Sequence, residues 1–186
     1  MKLKSLLFFV FFVSCATNQA NSAGPFRLSS TDIKGGSMIG NKHVFNSFGC
    51  SGENVSPQLS WGNAPKETKS FAITVYDPDA PTGSGWWHWA LVNIPATYFE
   101  IPAGFGEDDS FKLKDGILQV RNDFGGFKFG GPCPPKGDKA HRYIFTIYAL
   151  KTEKLDLEKS ATAALAGFMI NQNVLAKTSF TSKYKR

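Results

Sequence analysis

Three stretches of the chain carry the period-two pattern of strands. Ser70 to Asp77 alternates and is rich in Phe71, Ile73, Val75 and Tyr76. Trp87 to Ile94 is a second aromatic and β-branched run, and Arg142 to Leu150 a third, with Tyr143, Phe145, Ile147 and Ala149 on one face. Glycine and proline clusters at Pro78–Gly85, Pro102–Gly106 and Gly125–Gly137 separate these runs and read as loops. One helix is expected late in the chain. Ala161, Ala164, Leu165, Phe168 and Met169 fall on a single face at a 3.6-residue period, Ser160 is the expected N-cap, and Asn171 to Asn173 ends the segment. Ala176 to Tyr184 then reads as a terminal strand. The pattern therefore predicts a mainly β, mostly antiparallel fold with one helix packed against it late.

The 186 residues suffice for one domain with a sizeable core and are too few for two ordinary ones. The first 14 residues stand apart. Lys2 and Lys4 precede an apolar run from Leu6 to Val13 that is too short to span a bilayer and reads as a signal peptide. Val13-Ser14-Cys15 has the form of a lipoprotein cleavage site, which predicts lipidation at Cys15. Phe12 departs from the usual leucine, and cleavage after Ala16 or near Ala20 to Ala23 is the alternative. Both readings export the chain to the cell envelope, the periplasm or beyond. Residues 15–25, small and polar, suit a flexible tether, which leaves residues 26–186 as a single domain.

Export changes the reading of the cysteines. With Cys15 assigned to the leader, Cys50 and Cys133 form an even pair in an oxidising compartment, and a disulfide between them is expected. The rival is a nucleophilic Cys133 with His141 as its base. The formal charge of +6 loses two with the leader. Much of the remainder sits in the tail at Lys177, Lys183, Lys185 and Arg186, read as a solvated terminus. No nucleic-acid motif accompanies it.

Candidate chemistry gathers at strand mouths. Asp77 ends the first run, and Pro78 and Pro81 hold Asp77 and Ala80 in extended geometry, so Asp77 and Asp79 sit on a stiff turn. His88 lies among Trp86, Trp87 and Trp89, while His141 opens the strand that carries Tyr143. Gly130-Gly131-Pro132 supplies backbone that approaches a ligand closely, and exposed amides in such a turn form an anion-binding concavity. Each feature alone has an ordinary structural explanation: turn capping by Asp-Pro-Asp, an interior histidine, a glycine turn. His43 has no motif around it and reads as surface. No metal is expected, because no His-x-His or His-x-x-x-His spacing is present. Asp123-Phe124-Gly125 and His141-Arg142-Tyr143 occur in the wrong order for a kinase, and no Gly-x-Ser-x-Gly elbow marks a serine hydrolase.

Taken in order, Asp77-Pro78-Asp79-Ala80-Pro81, Trp87-His88-Trp89, Gly130 to Pro135 and His141-Arg142-Tyr143 closely resemble the phosphatidylethanolamine-binding protein family, also called the Raf kinase inhibitor protein family. The strings Gly49 to Trp61 and Arg121 to Gly125 resemble its bacterial branch. The resemblance implies a central antiparallel sheet flanked by a second, smaller sheet and helices. It also implies an anion pocket at Asp77, His88, Gly131, His141 and Tyr143, with Asp79 and Pro132 beside them, binding phosphate-like or phosphorylethanolamine-like head groups. A carboxylate repels an anion, so Asp77 is read as orienting an imidazole and stabilising its charged form. His88 or His141 and the glycine amides would then contact the ligand. The expected function is non-catalytic binding of a small anionic or zwitterionic ligand without a cofactor, with a protein partner and a homodimer left open. The alternative is an enzyme using a His/Asp acid–base pair.

Overall fold

The computed structural model describes residues 24–186. The expected signal peptide and the lipidation site Cys15 lie outside the described residues, as does most of the tether. The described residues form eight strands and one α-helix. Strands β3 (Ser70–Asp77), β4 (Trp86–Pro95), β6 (Leu118–Gln119), β7 (His141–Leu150) and β8 (Val174–Tyr184) make an antiparallel sheet in the order β6-β4-β3-β7-β8. A smaller antiparallel sheet, in the order β1-β2-β5, comprises β1 (Arg27–Ser29), β2 (Leu59–Gly62) and β5 (Glu100–Ile101). The long alternating runs thus became the three central strands of the larger sheet. β1, β2, β5 and β6 are two to four residues long and too short to show a period.

The larger sheet has two differently built faces. Toward the small sheet it presents Phe71, Ile73, Val75, Trp89, Leu91, Phe145 and Ile147, packed with Leu59 and Trp61. Phe145 stacks on Phe180 at 4.9 Å between ring centroids. The face toward the helix carries Ala72, Ala90 and Val92, against Ala163, Ala166 and Ile170 of α1 (Ala163–Asn173).

Two helix expectations are corrected. The N-cap is Thr162, whose hydroxyl accepts from Leu165 N–H at 3.2 Å, and not Ser160. The buried stripe is Ala163, Ala166 and Ile170, while Leu165 and Phe168 from the expected face are 47% and 62% exposed. Small residues let the helix approach the alanine-rich sheet face, where the bulkier Leu165 and Phe168 have no room. His43 is a third correction: it is buried at 3% exposure, and its Nδ1 donates to Val55 O at 2.7 Å.

The disulfide joins Cys50 to Cys133, with Cα atoms 6.0 Å apart across 83 positions of chain. Closing so long a loop stabilises the native state by roughly 2–4 kcal/mol, mainly by restricting the unfolded chain. Arg186, expected in a solvated tail, instead lies with Nη1 3.2 and 3.3 Å from the two sulfurs and donates to Phe48 O at 3.2 Å.

Candidate functional site

The face of β7 toward the small sheet runs Ala149, Ile147, Phe145 and then Tyr143 and His141, so the last two positions of a hydrophobic stripe are polar. β3 ends likewise in Asp77 after Val75. β4 reaches the same place through a bulge. Val75 pairs with Trp89 and Tyr76 with Trp87, which leaves His88 as an extra residue on β4. Such a bulge re-aims the side chain it carries. Asp77, His88, His141 and Tyr143 thereby line one cavity of about 190 Å³, walled by Phe48, Trp86, Phe124 and the Cys133-Pro134-Pro135 segment.

Hydrogen bonds assign the roles. His141 Nδ1–H donates to Asp77 Oδ2 at 2.8 Å, and Asp77 Oδ1 accepts Asp79 N–H at 2.8 Å. Asp77 therefore orients an imidazole, and that imidazole is His141. On its other side His141 Nε2 lies 3.4 Å from Asp138 Oδ2. His88 Nδ1 lies 2.6 Å from Gly130 O; a carbonyl only accepts, so Nδ1 carries the proton. The His88 ring is held edge-on by Tyr143 at 5.1 Å and Phe124 at 5.3 Å.

Charge on His88 runs against expectation. Burial lowers its pKa to about 4, outweighing the Gly130 carbonyl and the Asp77 charge, which both act to raise it. A neighbouring carboxylate was expected to push the imidazole upward; desolvation wins because the ring is fully enclosed. Tyr143 is pushed well above an ordinary phenol, by burial first and then by Asp77. Among the described residues its hydroxyl makes no hydrogen bond of good geometry, and neither does the buried Trp86 Nε1–H.

The remaining expected residues take supporting positions. Gly130 N–H donates to His88 O at 3.0 Å and Gly131 N–H to Asn54 Oδ1 at 2.7 Å. The amides expected to meet an anion are thus committed inside the fold. Glycine is needed here for close approach: a Cβ on Gly131 would sit 2.0 Å from His43 O, and one on Gly130 2.4 Å from the Phe124 ring. Pro132 O accepts from Phe45 N–H at 3.1 Å. Asp79 accepts from Arg142 Nε at 2.8 Å, Nη2 at 2.9 Å and the Arg142 backbone N–H at 2.9 Å. That fork holds the Asp79 carboxyl down at about 2 and pins the Asp77 turn to β7.

Sequence reasoning missed Phe48, Phe124, Asn54 and Asp138. Phe48 sits in left-handed backbone at φ 54° beside the disulfide and projects onto the cavity. Its proximity to Cys50 was the available signal. Among the described residues no group of three His, Cys, Asp or Glu side chains is arranged to hold a metal ion, and no helix is long and apolar enough to cross a membrane.

Two packed antiparallel sheets with a polar pocket where the central strands end define a class of small-ligand-binding β proteins. Residues 29–185 match the family model described as phosphatidylethanolamine-binding protein. The YbcL protein of Escherichia coli K12 is 53% identical over 163 residues, covering 88% of this chain and 89% of that protein. Its crystal structure superposes with a TM-score of 0.83, covering 87% of this chain and 98% of the other. The YbhB protein of the same organism is 47% identical over 158 residues, 85% of this chain and 99% of its own length. A Mycobacterium tuberculosis protein designated a lipoprotein, LppC, is 33% identical over 157 residues, 84% of this chain and 71% of its own. The chain belongs to the phosphatidylethanolamine-binding protein family.

Proposed function

We propose that the cavity binds, without converting it, a small anionic or zwitterionic group of the phosphate or phosphorylethanolamine kind. The observation that carries this reading is a pair of buried donors, Tyr143 O–H and Trp86 Nε1–H, that make no hydrogen bond of good geometry among the described residues, Tyr143 lying near the Asp77 carboxylate, and that belong to residues lining one cavity. A buried donor left unpaired costs about 1–3 kcal/mol, so a ligand oxygen that accepts from both recovers what the folded protein forgoes. His141, braced by Asp77, adds a third group, and an ammonium end would find the carboxylates of Asp77 and Asp138. Aromatic walls exclude water and strengthen each of these contacts.

The Asp77–His141 pair also has the form of the orienting half of a general base, and this favours the enzyme reading as the second one. Calorimetric titration with phosphorylethanolamine at about pH 5, where its phosphate is largely the monoanion, followed by recovery of the ligand, separates the two. Saturable binding with the ligand returned unchanged is expected, weakened tenfold or more in His141→Ala, since a charge-assisted hydrogen bond is worth about 1.5–3 kcal/mol. A converted ligand supports the enzyme. Absence of binding at millimolar ligand removes the reading.

We also propose export and lipidation at Cys15, which would hold the domain at the cell envelope; the lipoprotein designation of LppC supports this. Wild type is expected in the detergent phase and Cys15→Ser in the aqueous phase. A protein partner and self-association into a homodimer belong to the same proposal, and sedimentation of the purified domain tests the latter.

A further inference from the structure

We propose, resting on the oxyanion reading above, that the pocket selects oxyanions that carry a proton of their own over fully ionised ones, with His88 Nε2 as the acceptor of that proton. The preferred class is a phosphate or phosphate-monoester monoanion, and the excluded class is a tetrahedral dianion such as sulfate.

The argument begins with the tautomer. The β4 bulge turns His88 into the cavity wall, and Gly130 O, 2.6 Å from Nδ1, requires the ring proton to sit on that nitrogen. Gly130 cannot relax away, because its own N–H is bonded to His88 O and its Cα lies against Phe124. With Nδ1–H spent on the backbone, a neutral ring presents only a lone pair at Nε2, which makes no hydrogen bond to the protein among the described residues. Burial keeps the ring neutral near pH 7, against the pull of Asp77 on β3 and of Asp123 in the loop that follows Asn122. The other polar groups near it are the Gly131 backbone, which with Gly130 favours the charged ring, and His141 and Tyr143 on β7.

The pocket therefore offers donors at Tyr143 and Trp86 and an acceptor at His88, close to the Asp77 carboxylate. A fully ionised oxyanion has only acceptors. Seated on the two donors, it would turn a lone pair toward Nε2 and a second one toward Asp77. A P–O–H group instead donates to Nε2 while the remaining oxygens accept from Tyr143 and Trp86. Whichever atom holds the shared proton, the complex contains one proton that a dianion does not bring.

Inorganic phosphate and sulfate are the probes, being alike in size and shape and different in protonation. Both are titrated calorimetrically into the full chain at about pH 6, where phosphate is largely the monoanion, and about pH 8, where it is largely the dianion. Phosphate is expected to bind about tenfold or more tighter than sulfate at the lower pH, and to lose about tenfold between the two, as befits one mismatched buried hydrogen bond. His88→Leu, which removes the acceptor, is expected to shrink the preference to about threefold or less by the same reasoning. If that variant does not fold, the wild-type comparison decides alone. Sulfate bound as tightly as phosphate at the lower pH, or a phosphate affinity that does not change with pH, overturns the proton-selection inference and leaves the oxyanion reading standing. Failure of both ions to bind overturns the oxyanion reading itself, and this inference with it.

Discussion

The two faces of the five-stranded sheet are built from the same strands and solve opposite problems. One face fills a wide gap to the small sheet with Trp89, Phe145, Ile147 and Leu91, and its stripe ends in the polar cluster of Asp77, His141 and Tyr143. The other holds a helix close with Ala72, Ala90, Ala163 and Ala166, and leaves Leu165 and Phe168 in solvent. Large side chains make the first face rigid enough to carry a site at its edge. Small ones on the second face trade buried area for close approach. The site is thus an extension of the stiffer of the two faces, and its geometry is inherited from that packing.

Breaking the first face should have the larger consequence. Phe145→Ala removes a fully buried ring stacked on Phe180, and a loss of about 3–5 kcal/mol in denaturant unfolding is expected. If the loss is below about 1 kcal/mol, the face is not the rigid one. On the second face, Ala166→Leu overfills a closed contact, with an expected loss of about 1–3 kcal/mol, whereas Phe168→Gln should stay within about 0.5 kcal/mol of wild type. Equal effects of those two would return the helix to the orientation its apolar period predicts.

The edge of the first face sharpens the comparison further. Tyr143→Phe deletes a buried hydroxyl that makes no hydrogen bond of good geometry among the described residues and lies near the Asp77 carboxylate, so stability should hold or rise slightly in thermal unfolding. Affinity for phosphorylethanolamine should fall in the same variant. A clear loss of stability would mean that the hydroxyl is bonded within the fold.

A modest, pH-dependent effect is expected at the Asp79–Arg142 fork. The folded-state pKa of Asp79, about 2, lies below its ordinary value of 3.8. Its contribution is therefore present above the ordinary value and lost as pH falls toward the folded one. Because Arg142 is half exposed, solvent screens the pair and the change should be modest. Arg142→Ala should flatten the acid limb of stability between about pH 4 and pH 2, relative to wild type.

Much of this was legible along the chain. Alternation marked β3, β4 and β7 because each has a buried face long enough to show a period of two, while Asp77, His141 and Tyr143 were singled out as pocket residues by the motifs that resemble the family. The cysteine pair followed from counting and compartment. The short strands were not legible, since two to four residues carry no period and their place depends on the partner strand. The helix face was misread for a related reason: the apolar period locates a stripe, but the stripe that is buried is the one whose volume fits the opposing sheet.

What the sequence determined by itself is therefore the mainly β class, the central strands and the cysteine pairing, which follow from local pattern and chemistry, while the residues at the strand mouths were picked out by resemblance to the family. Tertiary structure alone decided which imidazole Asp77 holds, that the glycine amides face inward, that Asp79 serves Arg142, and that His88 is neutral. Each of these depends on distances between segments tens of residues apart and on how completely a ring is shut away from water, and neither quantity is written in the order of the residues.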